Sequence, residues 1–309
     1  EIVCSAQQEG IPAALRGEVW AAILGVETVL DAQRLYKSID LARFTDSDRQ
    51  IAIDVPRCHQ YNSRLASPEG QQMLANILKA WVIHHKHCVY WQGLDSICAP
   101  VLTLLHANEA LAFCTLKAIV AKFVPHFFAS NNSTVMEERL ALYTKLLLYH
   151  DPELANHLAR IDFRPELYAI PWFLTLFAHV LPLAKVYLVW DALFMGPKNL
   201  TVAMAVAIVQ QVRQALLSMD FSQAIMFISG LHRVDIVAAL QEAHHICRRT
   251  PDSIIDPPYL TSTTSKQSNA MMTAEQFCHL PCAAMSPADL YKALQASDPV
   301  GDASHAASV

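Results

Sequence analysis

Between Pro12 and Arg249 the apolar residues return at spacings of three and four, and alternation over the length of a strand is hard to find. A chain with that single period buries its stripes by packing helix against helix, so the predicted fold is all-α, with many helices. The clearest start is Ser67, an N-cap residue followed by Pro68 at the first helical position, with Leu74, Ile77, Leu78 and Trp81 sharing one face. Further stripes run through Leu94, Ile97, Val101 and Leu102, and through Val202, Val206, Ile208, Val209 and Val212. Turn-forming stretches such as Gly196-Pro197-Lys198-Asn199 separate them. No fixed internal period recurs, which argues against a helical-repeat solenoid.

This pattern defines one domain over residues 1–250. Beyond it, residues 251–285 are rich in Pro, Ser, Thr and Asp and are expected to form a flexible polar linker. Ser286-Pro287-Ala288-Asp289 has the form of a capping box ahead of Leu290, Tyr291 and Leu294, which predicts a short helix over 286–297. Residues 298–309 read as a disordered tail. The stretch from Leu167 to Ala184 carries no formal charge and reaches the length of a membrane span. Pro171, Pro182 and His179 argue instead for short helices buried in an all-α domain, so no transmembrane segment is expected.

With 53% apolar and 17% charged residues, the chain has ample material for a large core. A net charge of −5, with Lys and Arg dispersed, excludes the concentrated basic face a nucleic acid requires and leaves protein as the expected partner. The eight cysteines lack the spacing of a disulfide framework and read as reduced thiols of a cytoplasmic protein. Neither an initiator Met nor a signal-peptide pattern opens the sequence, so it is expected to be part of something longer. His84-His85-Lys86-His87, His244-His245-Ile246-Cys247 and Cys278-His279 with Cys282 lack the paired spacing of a zinc site, and no metal is expected. The Gly-rich phosphate loops, the kinase catalytic patterns, GxSxG and HExxH are all missing, so no nucleotide or cofactor site of its own is expected.

Two segments carry candidate chemistry. In Ile51-Ala52-Ile53-Asp54-Val55-Pro56-Arg57-Cys58, Asp54 lies three residues before Arg57, within reach of its guanidinium on a helical turn. Pro56 fixes its own φ and biases Val55 towards extended backbone, so Arg57 is expected to leave a stiffened bend. In Tyr90-Trp91-Gln92-Gly93, Gln92 falls just before the helix bearing Leu94, where backbone amides and the helix dipole favour a phosphate. Read singly, the first is more often a surface ion pair worth about a few tenths of a kcal/mol. The second is more often a helix-entry amide packed under rings.

Order and surroundings join them. Gly10-Ile11-Pro12 through Leu15-Arg16 to Trp20 follows the pattern GIPxxLRxxxW. Ile51, Asp54 and Arg57 follow IxxDxxR, and Tyr90, Gln92 and Gly93 follow YxQG. Trp172-Phe173-Leu174-Thr175-Leu176-Phe177 and Trp190-Asp191 complete the series. In this order, over about residues 10–250, the chain resembles the TBC (Tre-2/Bub2/Cdc16) family of Rab GTPase-activating proteins.

The resemblance implies a multi-helix domain, monomeric within a larger multidomain protein, that meets a Rab-family small GTPase in its GTP form. It implies Arg57 and Gln92 as two catalytic fingers acting in trans on Mg-GTP held by that partner, with Asp54 orienting Arg57 and Tyr90 positioning the Gln92 loop. It implies a cytoplasmic protein, peripheral on endomembranes through the Rab. An arginine lent in trans is worth on the order of 10³ to 10⁵ in rate. Cys58 replaces the Thr common after the finger arginine and Trp91 the usual small residue inside YxQG, and both are expected to alter the surface the GTPase meets. The alternatives are an adaptor that binds Rab proteins without accelerating hydrolysis, and a purely structural helical scaffold.

Overall fold

The computed structural model describes residues 10–26, 28–86, 88, 90–128, 133–228 and 234–255, and their regular structure is helical. The helix expected over 286–297, the tail 298–309, and most of the linker lie outside the described residues. The chain divides into two compact units, one made of residues 1–136 and 170–197, the other of 137–169 and 198–309.

The first unit is built on the helix Pro68–His84. Ser67 caps it, its hydroxyl accepting the Gly70 N–H at 3.0 Å, and Leu74, Ile77, Leu78 and Trp81 are buried on one side as their spacing predicts. That stripe packs on the helices Leu94–Leu104 and Glu109–Phe123, and Val29–Lys37 covers the last of these. The helix Arg16–Ile23 lies against Leu183–Met195, where the rings of Trp20, Trp190 and Phe194 meet with centroids 5.2 to 5.6 Å apart.

The second unit centres on Leu200–Gln211, a helix apolar on every side and buried along nearly its whole length. Ile236–Arg249 lies along it, and Pro152–Arg160 packs on Arg213–Leu217. Within the same unit Tyr143 and Tyr168 share a hydroxyl hydrogen bond of 2.8 Å, and Phe163 stacks on Tyr168. Order in this unit continues past Arg249 into the start of the expected linker. Asp252–Ile255 forms a short helix with Ile255 buried, and the Asn199 amide donates to the Ile255 carbonyl.

The uncharged stretch Leu167 to Ala184 is broken into short pieces, with Pro171 and Pro182 near helix starts. It contributes the helix Ile170–Leu174, then turns at Leu176 and Phe177, which have φ of 49° and 66°. No described helix is long and apolar enough to cross a membrane.

Candidate functional site

Both candidate segments belong to the first unit. The helix Asp48–Asp54 buries Ile51 and Val55, four residues apart, and so leaves Ile53 and Arg57 on its open side. Pro56 does not open a bend at Val55. Val55 stays right-handed helical, with φ −52° and ψ −49°, and the chain tightens into a single 3₁₀ turn, Val55–Arg57. The burial of Val55 outweighs the modest preference of a pre-proline residue for extended backbone, and Pro56 sits in a first turn where its missing N–H is not needed. The bend falls at Cys58, which is extended, and at His59, which has φ of 45°. Arg57 is exposed and has no hydrogen-bond or ion-pair partner among the described residues.

Asp54 turns the other way. It is 4% exposed, and its carboxylate accepts from the Gln50 amide and from the Tyr90 hydroxyl, each at 3.0 Å. The expected Asp54–Arg57 pair is therefore replaced by a tie from the Arg57 segment to the Gln92 segment, 36 residues on. Burial, with the charges of Asp95 and Asp54, holds the Tyr90 hydroxyl far above its ordinary range, so it remains a donor.

The Gln92 segment is a turn leading into Leu94–Leu104, with the Leu94 N–H on the Trp91 carbonyl at 3.2 Å. Tyr90 is buried, whereas Trp91, at 40% exposure, and Gln92 face outward. Gly93 is the N-cap at φ 113°, and a Cβ there would lie 3.0 Å from Thr175 Cγ2. Gln92 thus stands just before a helix N-terminus, as its sequence position predicts, where the helix dipole favours anionic oxygen.

Cys58 is not part of the surface. At 6% exposure it lies beneath the Arg57 turn, beside Asp95, and burial aided by that charge keeps its thiol protonated. Of Cys58 and Trp91, the two residues expected to alter the surface beside Arg57 and Gln92, only Trp91 faces outward. The residues that sequence reasoning passed over are Asp95 and Thr175. Asp95 had a readable signal, an acidic side chain two positions after a helix-opening glycine, where it can reach back to the cap N–H.

The remaining motifs build the scaffold. Asp191 accepts Trp20 Nε1 at 2.7 Å and Arg16 Nε at 3.1 Å, joining the first motif of the series to the last. Trp190 donates to the Leu176 carbonyl at 2.9 Å, which fixes the left-handed turn after Leu174. Leu174 and Thr175 form the wall against Gly93.

The sequence profile of the Rab-GTPase-TBC domain family matches residues 13–217, a span that includes all of these residues. The TBC domain-containing protein kinase-like protein of Gallus gallus is 47% identical over 243 residues, 79% of this chain and 27% of that protein. Its counterpart in Dictyostelium discoideum is 40% identical over 255 residues, 82% of this chain and 24% of that protein. The Rab GTPase-activating protein tbc-11 of Caenorhabditis elegans is 30% identical over 225 residues, 71% of this chain and 24% of that protein. The chain thus spans about a quarter of the length of these curated relatives. The crystal structure of the Ypt/Rab-GAP domain of Gyp1p superposes with a TM-score of 0.68 at 20% identity, covering 76% of this chain and 88% of that one, and so shares the fold. With a profile match across two thirds of its length and these relatives, the chain belongs to the Rab-GTPase-TBC domain family.

Proposed function

We propose that this chain accelerates GTP hydrolysis by a Rab-type small GTPase, with Arg57 and Gln92 lent to the partner's active site. The observation that carries this reading is an exposed Arg57, without a partner among the described residues, and an exposed Gln92 on two segments tied together by the Asp54–Tyr90 hydrogen bond. Phosphoryl transfer to water asks a protein for placement and charge rather than covalent chemistry. Arg57 neutralises charge developing on the γ-phosphate, and Gln92, which both accepts and donates, holds the attacking water. The nucleotide and its Mg²⁺ belong to the GTPase. A Rab on an endomembrane brings this cytoplasmic chain to that surface.

One observation favours a second reading, a Rab-binding adaptor: exposed Trp91 puts an indole immediately beside Gln92, where bulk competes with the water-holding role. Single-turnover phosphate release from a panel of GTP-loaded Rabs separates the two, using wild type, Arg57→Ala and Gln92→Ala. Activation predicts that wild type stimulates at least one Rab and that both variants lose the stimulation while still binding it. Binding without stimulation by wild type selects the adaptor. Full stimulation by both variants means the fingers are misassigned.

A further inference from the structure

We infer that Asp95 is a positioning residue, holding the Gln92–Gly93 peptide in place at the start of the helix Leu94–Leu104; what that placement is for rests on the activation reading above.

Three observations converge on Asp95. Gly93 opens a helix, so its N–H has no carbonyl partner within that helix, and at φ 113° the peptide folds back to donate to Asp95 Oδ1 at 2.9 Å. Gln92 is joined to that peptide directly, so the hydrogen bond sets the direction in which its side chain leaves the loop. A Cβ at Gly93 would lie 3.0 Å from Thr175 Cγ2, so no side chain fits there without a shift and the peptide keeps its glycine conformation. Finally, Asp95 is buried, with 7% exposure, and its charge acts on Cys58, His59 and Tyr90 together. Cys58 and His59 are the residues at which the Arg57 turn bends. Asp54–Tyr90 ties the Gln92 segment to the Arg57 segment before Gln92, and Asp95 holds the peptide just after it. A carboxylate suits the place because it only accepts, and a peptide N–H donates.

The test uses the 309-residue chain carrying Asp95→Ala or Asp95→Asn, with two readouts. The first is hydrogen exchange at the Gly93 amide, with the Leu78 amide as the measure of the core. The second is kcat and KM for phosphate release from a Rab that wild type stimulates. Asp95→Ala is expected to speed Gly93 exchange on the order of tenfold with Leu78 unchanged. It is also expected to lower kcat about ten- to hundredfold with KM held, since small misplacements of reacting groups are costly. Asp95→Asn keeps an acceptor oxygen and should restore both towards wild type. Unchanged Gly93 exchange in Asp95→Ala, a parallel rise at Leu78, or an unchanged kcat would each overturn the assignment. If wild type stimulates no Rab, the activation reading falls, while the exchange pattern still decides whether Asp95 holds the loop.

Discussion

Arg57 leaves the protein from a helix that tightens into one more turn, whereas Gln92 stands on a loop held almost entirely by residues from elsewhere in the chain. Between Asp48 and Arg57 the backbone follows local rules: a helix with Ile51 and Val55 as anchors, then a 3₁₀ turn that tolerates Pro56. Between Tyr90 and Leu94 one local turn bond, from the Leu94 N–H to the Trp91 carbonyl, is joined by Asp54 on Tyr90, Asp95 on the Gly93 N–H and Thr175 beside Gly93. The contrast teaches that two equally exposed side chains can differ in how far their placement depends on distant residues.

The comparison breaks first if the two side chains are not alike in function. Arg57→Ala and Gln92→Ala should each remove most stimulated phosphate release, with Arg57→Ala losing on the order of 10³ or more, and neither should shift the urea midpoint. Next comes Gly93→Ala, which forces an L residue to φ 113° against Thr175. It should destabilise by about 2 kcal/mol in urea unfolding and lower kcat as well. Tyr90→Phe leaves Asp54 Oδ2 without its Tyr90 donor, at a cost of about 1–2 kcal/mol, and should slow phosphate release by a smaller factor. Pro56→Ala is expected to do least, below about 1 kcal/mol and with activity kept, because Val55 already adopts the helical backbone that proline disfavours. A large loss of activity from Pro56→Ala would mean that the Arg57 turn, too, depends on more than its local helix.

Much of this was legible beforehand. The stripe Leu74, Ile77, Leu78 and Trp81 and the Ser67 cap follow from period and cap chemistry alone, and the structure buries the first and bonds the second as predicted. Within Leu167 to Ala184 the prolines marked helix starts, Pro171 near the start of Ile170–Leu174 and Pro182 just before Leu183–Met195, but not the left-handed break at Leu176 and Phe177. Less legible were the partners. Asp54 and Arg57 lie three apart, which suggests a pair, but a buried carboxylate takes the donors buried with it, and those are Gln50 and Tyr90. Cys58 looks like a surface neighbour of Arg57 in sequence, yet it lies underneath, because the chain leaves the 3₁₀ turn there in an extended conformation and bends inward.

The sequence by itself determined the helical class and the capped and striped helices it named, and it singled out four residues, since periodicity, caps and motif order are properties of the chain read locally. Only the tertiary structure decided which of those residues hold and which reach out. Asp54 and Tyr90 became a buried tie and Arg57 and Gln92 exposed ends, because that division depends on which distant groups a side chain meets once water has been excluded.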